Sequence, residues 1–169
     1  MSTSLSCKEH DNLYLKARLI KLAFIDYNKC KIYKSTNLEV FIMIKKIHTK
    51  EAPEAIGPYS QAAVIGGMVY TSGQIAINPE TGNIEAEDIK GQTRRVMENL
   101  AAVLKAADSS FDDCIKTTCF LADIADFAAF NEVYAEYITS KPARSCVAVK
   151  ALPKSALVEV EVIAAVKEA

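Results

Sequence analysis

Residues 142–147, PARSCV, place a permanent cation and a thiol two positions apart at the start of a predicted strand. Side chains alternate between the faces of a strand, so Arg144 and Cys146 are expected to point the same way. The planar guanidinium of Arg144 suits two-point recognition of a carboxylate, and a surface ion pair is the alternative. This stretch therefore predicts a site for a small anion.

A second predicted strand supplies acids to the same region. Glu159 and Glu161 are two positions apart and share one face of that strand. A carboxylate in an apolar pocket has a raised pKa and can position and deprotonate a water molecule, whereas two solvated glutamates on an open face are the alternative. If the last two strands form a hairpin, one register places Cys146 opposite Glu159, and a slip of one residue breaks that pairing. The sequence does not determine the register.

The scarcity of histidine restricts the role of Cys146. His10 and His48 are the two histidines, so no Cys-His pair and no His/Cys metal spacing stands out. A thiol near a fixed cation has a lowered pKa, but a free Cys is more often a small buried apolar residue. These observations favour a supporting role for Cys146 over covalent catalysis.

Further binding candidates lie in turns and on a helix. Gly73, within Ser72-Gly73-Gln74, would let a ligand approach the backbone closely. Tyr59 follows a Gly-Pro turn, and Asn131 lies on a predicted helix. Turn geometry or a polar surface explains each of these residues equally well when it is taken alone.

The bulk composition excludes several classes of partner. The net charge is −1, and residues 1–42 hold seven Lys or Arg against four Asp or Glu, which leaves 13 against 17 in residues 43–169. This acidic balance does not favour a nucleic-acid partner. The longest apolar run is far short of the roughly 20 residues that span a bilayer, so no membrane partner is expected.

Cysteine usage indicates the compartment. Five cysteines, an odd number without a Cys-x-x-Cys pair, are typical of free thiols in a reducing compartment. We expect a cytoplasmic protein, with a mitochondrial location left open by the N-terminal segment.

A change of composition near residue 42 divides the chain. Residues 1–42 are rich in Lys, Ile, Tyr and Asn, and a short helix is predicted over 13–25. Met43 is a candidate translation start, which would make residues 1–42 an extension outside the fold; a targeting or interaction segment is the alternative. The domain itself is predicted to occupy residues 43–169.

Hydrophobic periodicity in that domain predicts the order β-β-β-α-β-α-β-β. The pattern indicates an α+β fold in which two helices cover one face of a mixed sheet, and neighbouring subunits are expected to cover the other face. The strands are predicted near 43–48, 61–65, 68–72, 115–121, 144–150 and 157–166, and the helices over 88–107 and 124–138.

Five motifs occur in order within residues 43–169, namely 57–62 (GPYSQA), 71–74 (TSGQ), 78–82 (NPETG), 142–146 (PARSC) and 158–161 (VEVE). Together they resemble the Rid (YjgF) family of reactive intermediate (enamine/imine) deaminases, also labelled the L-PSP endoribonuclease family. The resemblance implies a chorismate-mutase-like fold and a homotrimer with sites between subunits. It also implies hydrolysis of 2-aminoacrylate-type enamines and imines, such as 2-iminopropanoate and 2-iminobutanoate, to 2-oxo acids and ammonia. No cofactor and no metal are implied.

The resemblance also implies roles for individual residues. Arg144 would clamp the substrate carboxylate, and Glu159 would hold the attacking water. Cys146 would contribute from the neighbouring backbone, with a role for its thiol left open. The pocket would be lined by Tyr59, Ser72, Gly73 and Asn131. Pyridoxal-phosphate-dependent dehydratases, which release such imines, are the implied functional partners.

The sequence departs from the family pattern in two places, and two functions other than the deaminase stay open. The segment between Tyr137 and Pro142 is shorter than is usual in the family, and residues 1–42 are not part of its pattern. The alternatives are an endoribonuclease or translation inhibitor, which the acidic domain disfavours, and a non-catalytic metabolite-binding or chaperone-like trimer.

Overall fold

The computed structural model describes residues 31–35 and 38–167. The chain divides into two units, Met1–Met43 and Ile44–Ala169, and each is described by itself. In the first unit, β1 (Lys31–Ser35) and β2 (Leu38–Ile42) form a two-stranded antiparallel sheet. The helix predicted over 13–25 lies outside the described residues.

The second unit has the predicted order of six strands and two helices. Its elements are β3 (Lys45–Ile47), β4 (Ala62–Ile65), β5 (Met68–Thr71), α1 (Ile89–Ala106), β6 (Cys114–Leu121), α2 (Phe127–Tyr137), β7 (Ala143–Ala148) and β8 (Val158–Ala165). The α+β class is therefore confirmed. Among the described residues, no helix combines the length and apolar character that crossing a bilayer would require.

The six strands form one mixed sheet in the order β3-β4-β5-β8-β6-β7. β6 and β7 run parallel, and the other neighbours are antiparallel. The hairpin considered for the last two strands is wrong, because β6 lies between β7 and β8. Cys146 pairs with Cys119 of β6, and Glu159 pairs with Phe120 of the same strand.

Burial distinguishes the interior strand β8 from the edge strand β7. Along β8 every second side chain is buried, beginning with Val158, and the others are partly buried, as in a strand with a neighbour on each edge. Along β7 only Cys146 is partly buried and the other side chains are exposed. α2 provides the crossover that a parallel β6–β7 pair requires.

The helices cover one face of this sheet. The Asp88 side chain caps α1 by accepting a hydrogen bond from the Gly91 backbone N–H at 3.0 Å. The predicted apolar stripe of α1 packs into the core through Val96, Leu100, Val103 and Leu104, all fully buried. From α2, Phe130 and Tyr134 complete the packing against the strands.

The opposite face of the sheet carries exposed apolar side chains. Val69 faces the helices, so Tyr70, the next residue on β5, faces away and is 44% exposed. Val147, next to Cys146 on β7, is 47% exposed. Large apolar side chains left in contact with water indicate a surface that another molecule can cover.

Candidate active site

The sheet separates the predicted site residues into two groups. Arg144 pairs with buried Thr117 and lies over the ring of Tyr134, so it is on the helix-covered face. Glu159 lies between the buried residues of β8 and therefore projects from the opposite, open face. The predicted alternation of side chains between the two faces is confirmed for β7 and β8. Cys146 lies on the same face as Arg144, and Glu161 lies on the same face as Glu159. A single chain does not bring the cation and the acid together.

The open-face group lines one pocket of about 400 Å³. Four predicted site residues contribute to it: Tyr59, Ser72, Gly73 and Glu159. Tyr59 is half-exposed, and its hydroxyl oxygen accepts a hydrogen bond from the Ile56 N–H at 3.4 Å. The pocket thus holds two acids, Glu159 and Glu54, among backbone, hydroxyl and apolar groups, and Glu54 is paired with His48.

Backbone hydrogen bonds fix Ser72-Gly73-Gln74 across β8. Gln74 exchanges two backbone hydrogen bonds with Val160, at 2.9 and 3.1 Å, so the chain passes directly over Glu159. The Ser72 hydroxyl donates to the Ser60 carbonyl at 2.7 Å. A Cβ at position 73 would overlap the Glu159 carboxyl group, which explains why glycine occupies this position.

The pocket alters the acidity of Glu159. Partial burial raises its pKa above the ordinary value, because the charged form loses hydration, and the negative charge of neighbouring Glu161 raises it further. A carboxyl group with a raised pKa can both accept and return a proton closer to neutral pH. Glu159 therefore meets the chemical requirement for a general acid/base.

The polar pocket residue Gln61 was not predicted as a site residue. Gln61 is 2% exposed, and its amide group donates to three backbone carbonyls, those of Thr49, Ala52 and Pro53, and accepts from the Thr49 N–H at 2.7 Å. This side chain fixes the segment whose Pro53 and Glu54 form a wall of the pocket. The sequence signals were its place in the 57–62 motif and its position as a polar residue directly before an apolar strand.

An apolar part of the pocket also escaped prediction. Ile56, Ile75, Ile77 and Pro153 lie around the polar groups. They come from three separate parts of the chain, and no local pattern relates them. This wall suits the carbon skeleton of a small organic molecule more than a bare ion.

The helix-side group is organised around Arg144. Its Nη1 donates to Asn131 Oδ1 at 2.7 Å. The guanidinium carbon lies 4.9 Å from the ring centre of Tyr134 and 5.6 Å from that of Phe127. Arg144 remains exposed, so its other donors can meet a ligand carboxylate.

Cys146 is partly buried beside this cation. Burial raises the pKa of its thiol, and Arg144 lowers it by a smaller amount. Its strand neighbour Cys119 is fully buried, with a pKa raised to about 12. His48, the histidine among the described residues, pairs instead with Glu54 at 2.8 Å. Among the described residues, Cys146 therefore has no histidine beside it that could serve as a base.

The donor groups in the described part of the chain do not form a metal site. Residues 31–35 and 38–167 contain no cluster of three His, Cys, Asp or Glu side chains in ligating positions. The helix-side group, centred on Arg144, and the open-face group, centred on Glu159, form two half-sites. Together they provide a cation, an acid with a raised pKa and a small apolar pocket.

Comparison with known proteins relates this arrangement to a family. The family model described as Endoribonuclease L-PSP matches residues 49–166. The chain is 54% identical over 123 residues to a RutC family protein of Pyrococcus horikoshii, covering 72% of this chain and 98% of the other. It is 47% identical over 126 residues to the 2-iminobutanoate/2-iminopropanoate deaminase of Salmonella typhimurium, with the same coverage.

Solved structures have the same fold. One is a protein of unknown function of the conserved Rid family, YyfA from Yersinia pestis, with a TM-score of 0.71 and 51% identity over 73% of this chain and 99% of that one. Another is E. coli TdcF with bound serine, with a TM-score of 0.69 and 47% identity over 73% and 99%. The chain belongs to the Rid (YjgF) family, whose family model carries the description Endoribonuclease L-PSP.

Proposed function

We propose that this protein hydrolyses reactive enamines and imines of the 2-aminoacrylate type to 2-oxo acids and ammonia. The observation that carries the proposal is the position of Glu159, a carboxyl group with a raised pKa held under Gly73 in a small pocket. The deaminase of Salmonella typhimurium, a relative over nearly its whole length, supports the reaction class.

The two half-sites are proposed to meet between copies of this chain. Arg144 and Asn131 lie on the helix side of edge strand β7, whereas Glu159 and Gly73 lie on the open face of the same sheet. In a homotrimer with cyclic symmetry, one surface of each copy faces a different surface of the next. Such a contact can place Arg144 of one copy beside Glu159 of another, and it would cover the exposed apolar face.

In this site Arg144 binds the substrate carboxylate, and Glu159 holds the attacking water. The carboxylate of Glu159 takes one proton from the water as the water oxygen bonds to the imine carbon, and it passes that proton to the imine nitrogen, which gives the carbinolamine. Glu159 then takes the proton of the carbinolamine hydroxyl as the C=O bond forms and the C–N bond breaks, and it returns that proton to the departing nitrogen, which leaves as ammonia. Positioning and one group that shuttles protons suffice, since imines hydrolyse readily.

The pocket has room for a substrate of this class. Its volume of about 400 Å³ and its apolar wall admit a three- or four-carbon imino acid together with water, and they do not fix the length of the carbon chain. Pyridoxal-phosphate-dependent dehydratases, which eliminate water from hydroxyamino acids, release such molecules and are the proposed source of the substrate. Serine bound to the related TdcF is an amino acid of this size.

A coupled assay with a threonine dehydratase tests the proposal. The wild-type protein should accelerate ammonia release from the imine that the dehydratase generates, and Arg144→Ala should lose that acceleration. Arg94→Ala, which removes a paired arginine on α1, is the matched control and should keep it. Wild-type protein without acceleration, or Arg144→Ala with full activity, would refute the assignment. Binding of 2-oxobutanoate without turnover would instead favour a metabolite-binding protein.

A further inference from the structure

The guanidinium of Arg144 is held by neutral groups. Its described partners are the Asn131 amide oxygen, at 2.7 Å, and the faces of two aromatic rings, Tyr134 and Phe127. A carboxylate partner would neutralise the cation, whereas an aromatic face attracts it through the ring quadrupole and leaves its charge uncompensated. Arg144 is therefore oriented while its charge stays available to an anion.

Of the two rings, that of Tyr134 is the fixed one. Tyr134 is 7% exposed, and its hydroxyl shares a 2.8 Å hydrogen bond with the hydroxyl of fully buried Thr117. The ring of Tyr134 also contacts that of Phe130, with centres 5.3 Å apart. Phe127 is 37% exposed and lies farther from the cation. Tyr134 is thus anchored on α2, hydrogen-bonded to β6 through Thr117, and presents its ring face to the Arg144 guanidinium.

Register explains why these groups converge. Thr117 is the β6 neighbour of Arg144 in the parallel pair, so the two side chains leave the sheet together on the helix side. Tyr134 lies one helical turn after Asn131, so both reach the same side chain from α2. The surroundings of the Arg144 guanidinium therefore depend on residues from β6, β7 and α2.

We infer that Tyr134 is a positioning residue that orients Arg144 for carboxylate binding. The inference rests on the proposed function, because it takes Arg144 as the carboxylate anchor. Tyr134 does not take part in proton transfer. It restricts the long arginine side chain to one direction, which reduces the conformational entropy that is lost when an anion binds.

Two variants of Tyr134 separate the ring from the hydroxyl. Tyr134→Phe keeps the aromatic face and removes the hydrogen bond to Thr117, whereas Tyr134→Leu removes the face. The readout is the Kd of 2-oxobutanoate measured by calorimetry, which does not need turnover. We expect Tyr134→Leu to weaken binding about fivefold to thirtyfold and Tyr134→Phe to recover most of the loss. In the coupled assay, KM should rise more than kcat falls.

A double-mutant cycle tests whether Tyr134 acts through Arg144. In an Arg144→Ala background, Tyr134→Leu should cause no further loss of 2-oxobutanoate affinity. Val133→Ala, which removes buried volume one position earlier on α2, controls for general destabilisation and should leave Kd unchanged.

The outcomes distinguish this inference from the proposed function. If Arg144→Ala weakens 2-oxobutanoate binding but Tyr134→Leu does not, the positioning role is refuted and the carboxylate anchor stands. Additive losses in the double mutant, or an equal loss in Val133→Ala, would also refute the role. Failure of the wild type to bind 2-oxobutanoate overturns the inference, whereas binding with no acceleration of ammonia release overturns only the enzymatic function.

Discussion

Gly73 and Glu159 are in such close contact that a Cβ on residue 73 would overlap the Glu159 carboxyl group. The backbone of the glycine is held in place by the two hydrogen bonds that Gln74 exchanges with Val160. The carboxyl group is thereby confined between its own strand and the passing chain. Any side chain at position 73 must move the acid, since the backbone cannot retreat without breaking those bonds.

Gly73→Ala is therefore expected to lower activity with little effect on stability. The overlapping atoms belong to the end of a flexible side chain, so Glu159 can rotate away without disturbing the core. The acid then no longer meets the water, and we expect kcat/KM to fall on the order of 100-fold in the coupled dehydratase assay. Glu159→Gln should show a similar loss, while thermal unfolding of Gly73→Ala stays near wild type. Nearly full activity in Gly73→Ala would mean that the position of Glu159 is not critical.

The neighbouring Glu161 should influence the pH profile through Glu159. Its negative charge is the second cause, after burial, of the raised Glu159 pKa. If ionised Glu159 activates the water, kcat/KM declines as pH falls through that pKa. Glu161→Gln removes one cause of the shift and should move this acid limb to lower pH. Glu80→Gln, in the exposed 78–82 turn, is the charge-matched control, and an equal shift there would exclude a local effect.

The same pKa shift has a consequence for stability. Folded Glu159 holds its proton more tightly than the unfolded chain does, so its contribution to stability is lost as pH rises from the ordinary Glu pKa, 4.5, through the raised folded pKa. Glu159→Gln cannot ionise and should unfold at higher urea concentration than wild type at pH 7. Below about pH 4 this advantage should vanish, because both states of the wild type are then protonated. An advantage of the same size at pH 7 and pH 3 would contradict this account.

Local patterns predicted the helices and strands well, because each is marked by hydrophobic residues that repeat at a short, regular spacing. The stripe that includes Val96, Leu100 and Val103 predicted α1, and alternation along 158–165 predicted β8. The neighbour of a strand is not encoded in that way. β7 and β8 are consecutive in sequence, yet β8 crosses to the far side of β6, where both of its edges can be paired.

The site was predicted as a set of residue types but not as an arrangement. Arg144, Cys146 and Glu159 were singled out from their chemistry and spacing, and the expected face of each pair is confirmed. Their separation by the sheet depends on β6 pairing with both β7 and β8, a long-range relationship. The role of Gln61 was not predicted, because its four hydrogen bonds are made with residues eight to twelve positions earlier in the chain.

Cys146→Ala is expected to keep most of the activity. Burial raises the thiol pKa, so at neutral pH the sulfur is mainly protonated and a poor nucleophile. We expect kcat/KM within about tenfold of wild type, whereas loss of an essential nucleophile costs on the order of 10⁶-fold. Mass spectrometry during turnover should detect no adduct on the peptide that contains Cys146. A covalent adduct there, together with a total loss of activity in the variant, would restore the nucleophile hypothesis.

The separation of Arg144 from Glu159 by the sheet predicts complementation between inactive variants. Arg144→Ala retains the acid half-site and Glu159→Gln retains the cation half-site, so each protein alone should be inactive. Equal amounts are unfolded together and refolded. If the proposed cyclic trimer forms, three quarters of the trimers contain both variants, and each of these has one intact site of three. The mixture should therefore recover about a quarter of wild-type activity. Mixing the two proteins after separate refolding controls for traces of active protein and should give no activity. If the site formed within one chain, co-refolding would also yield an inactive mixture.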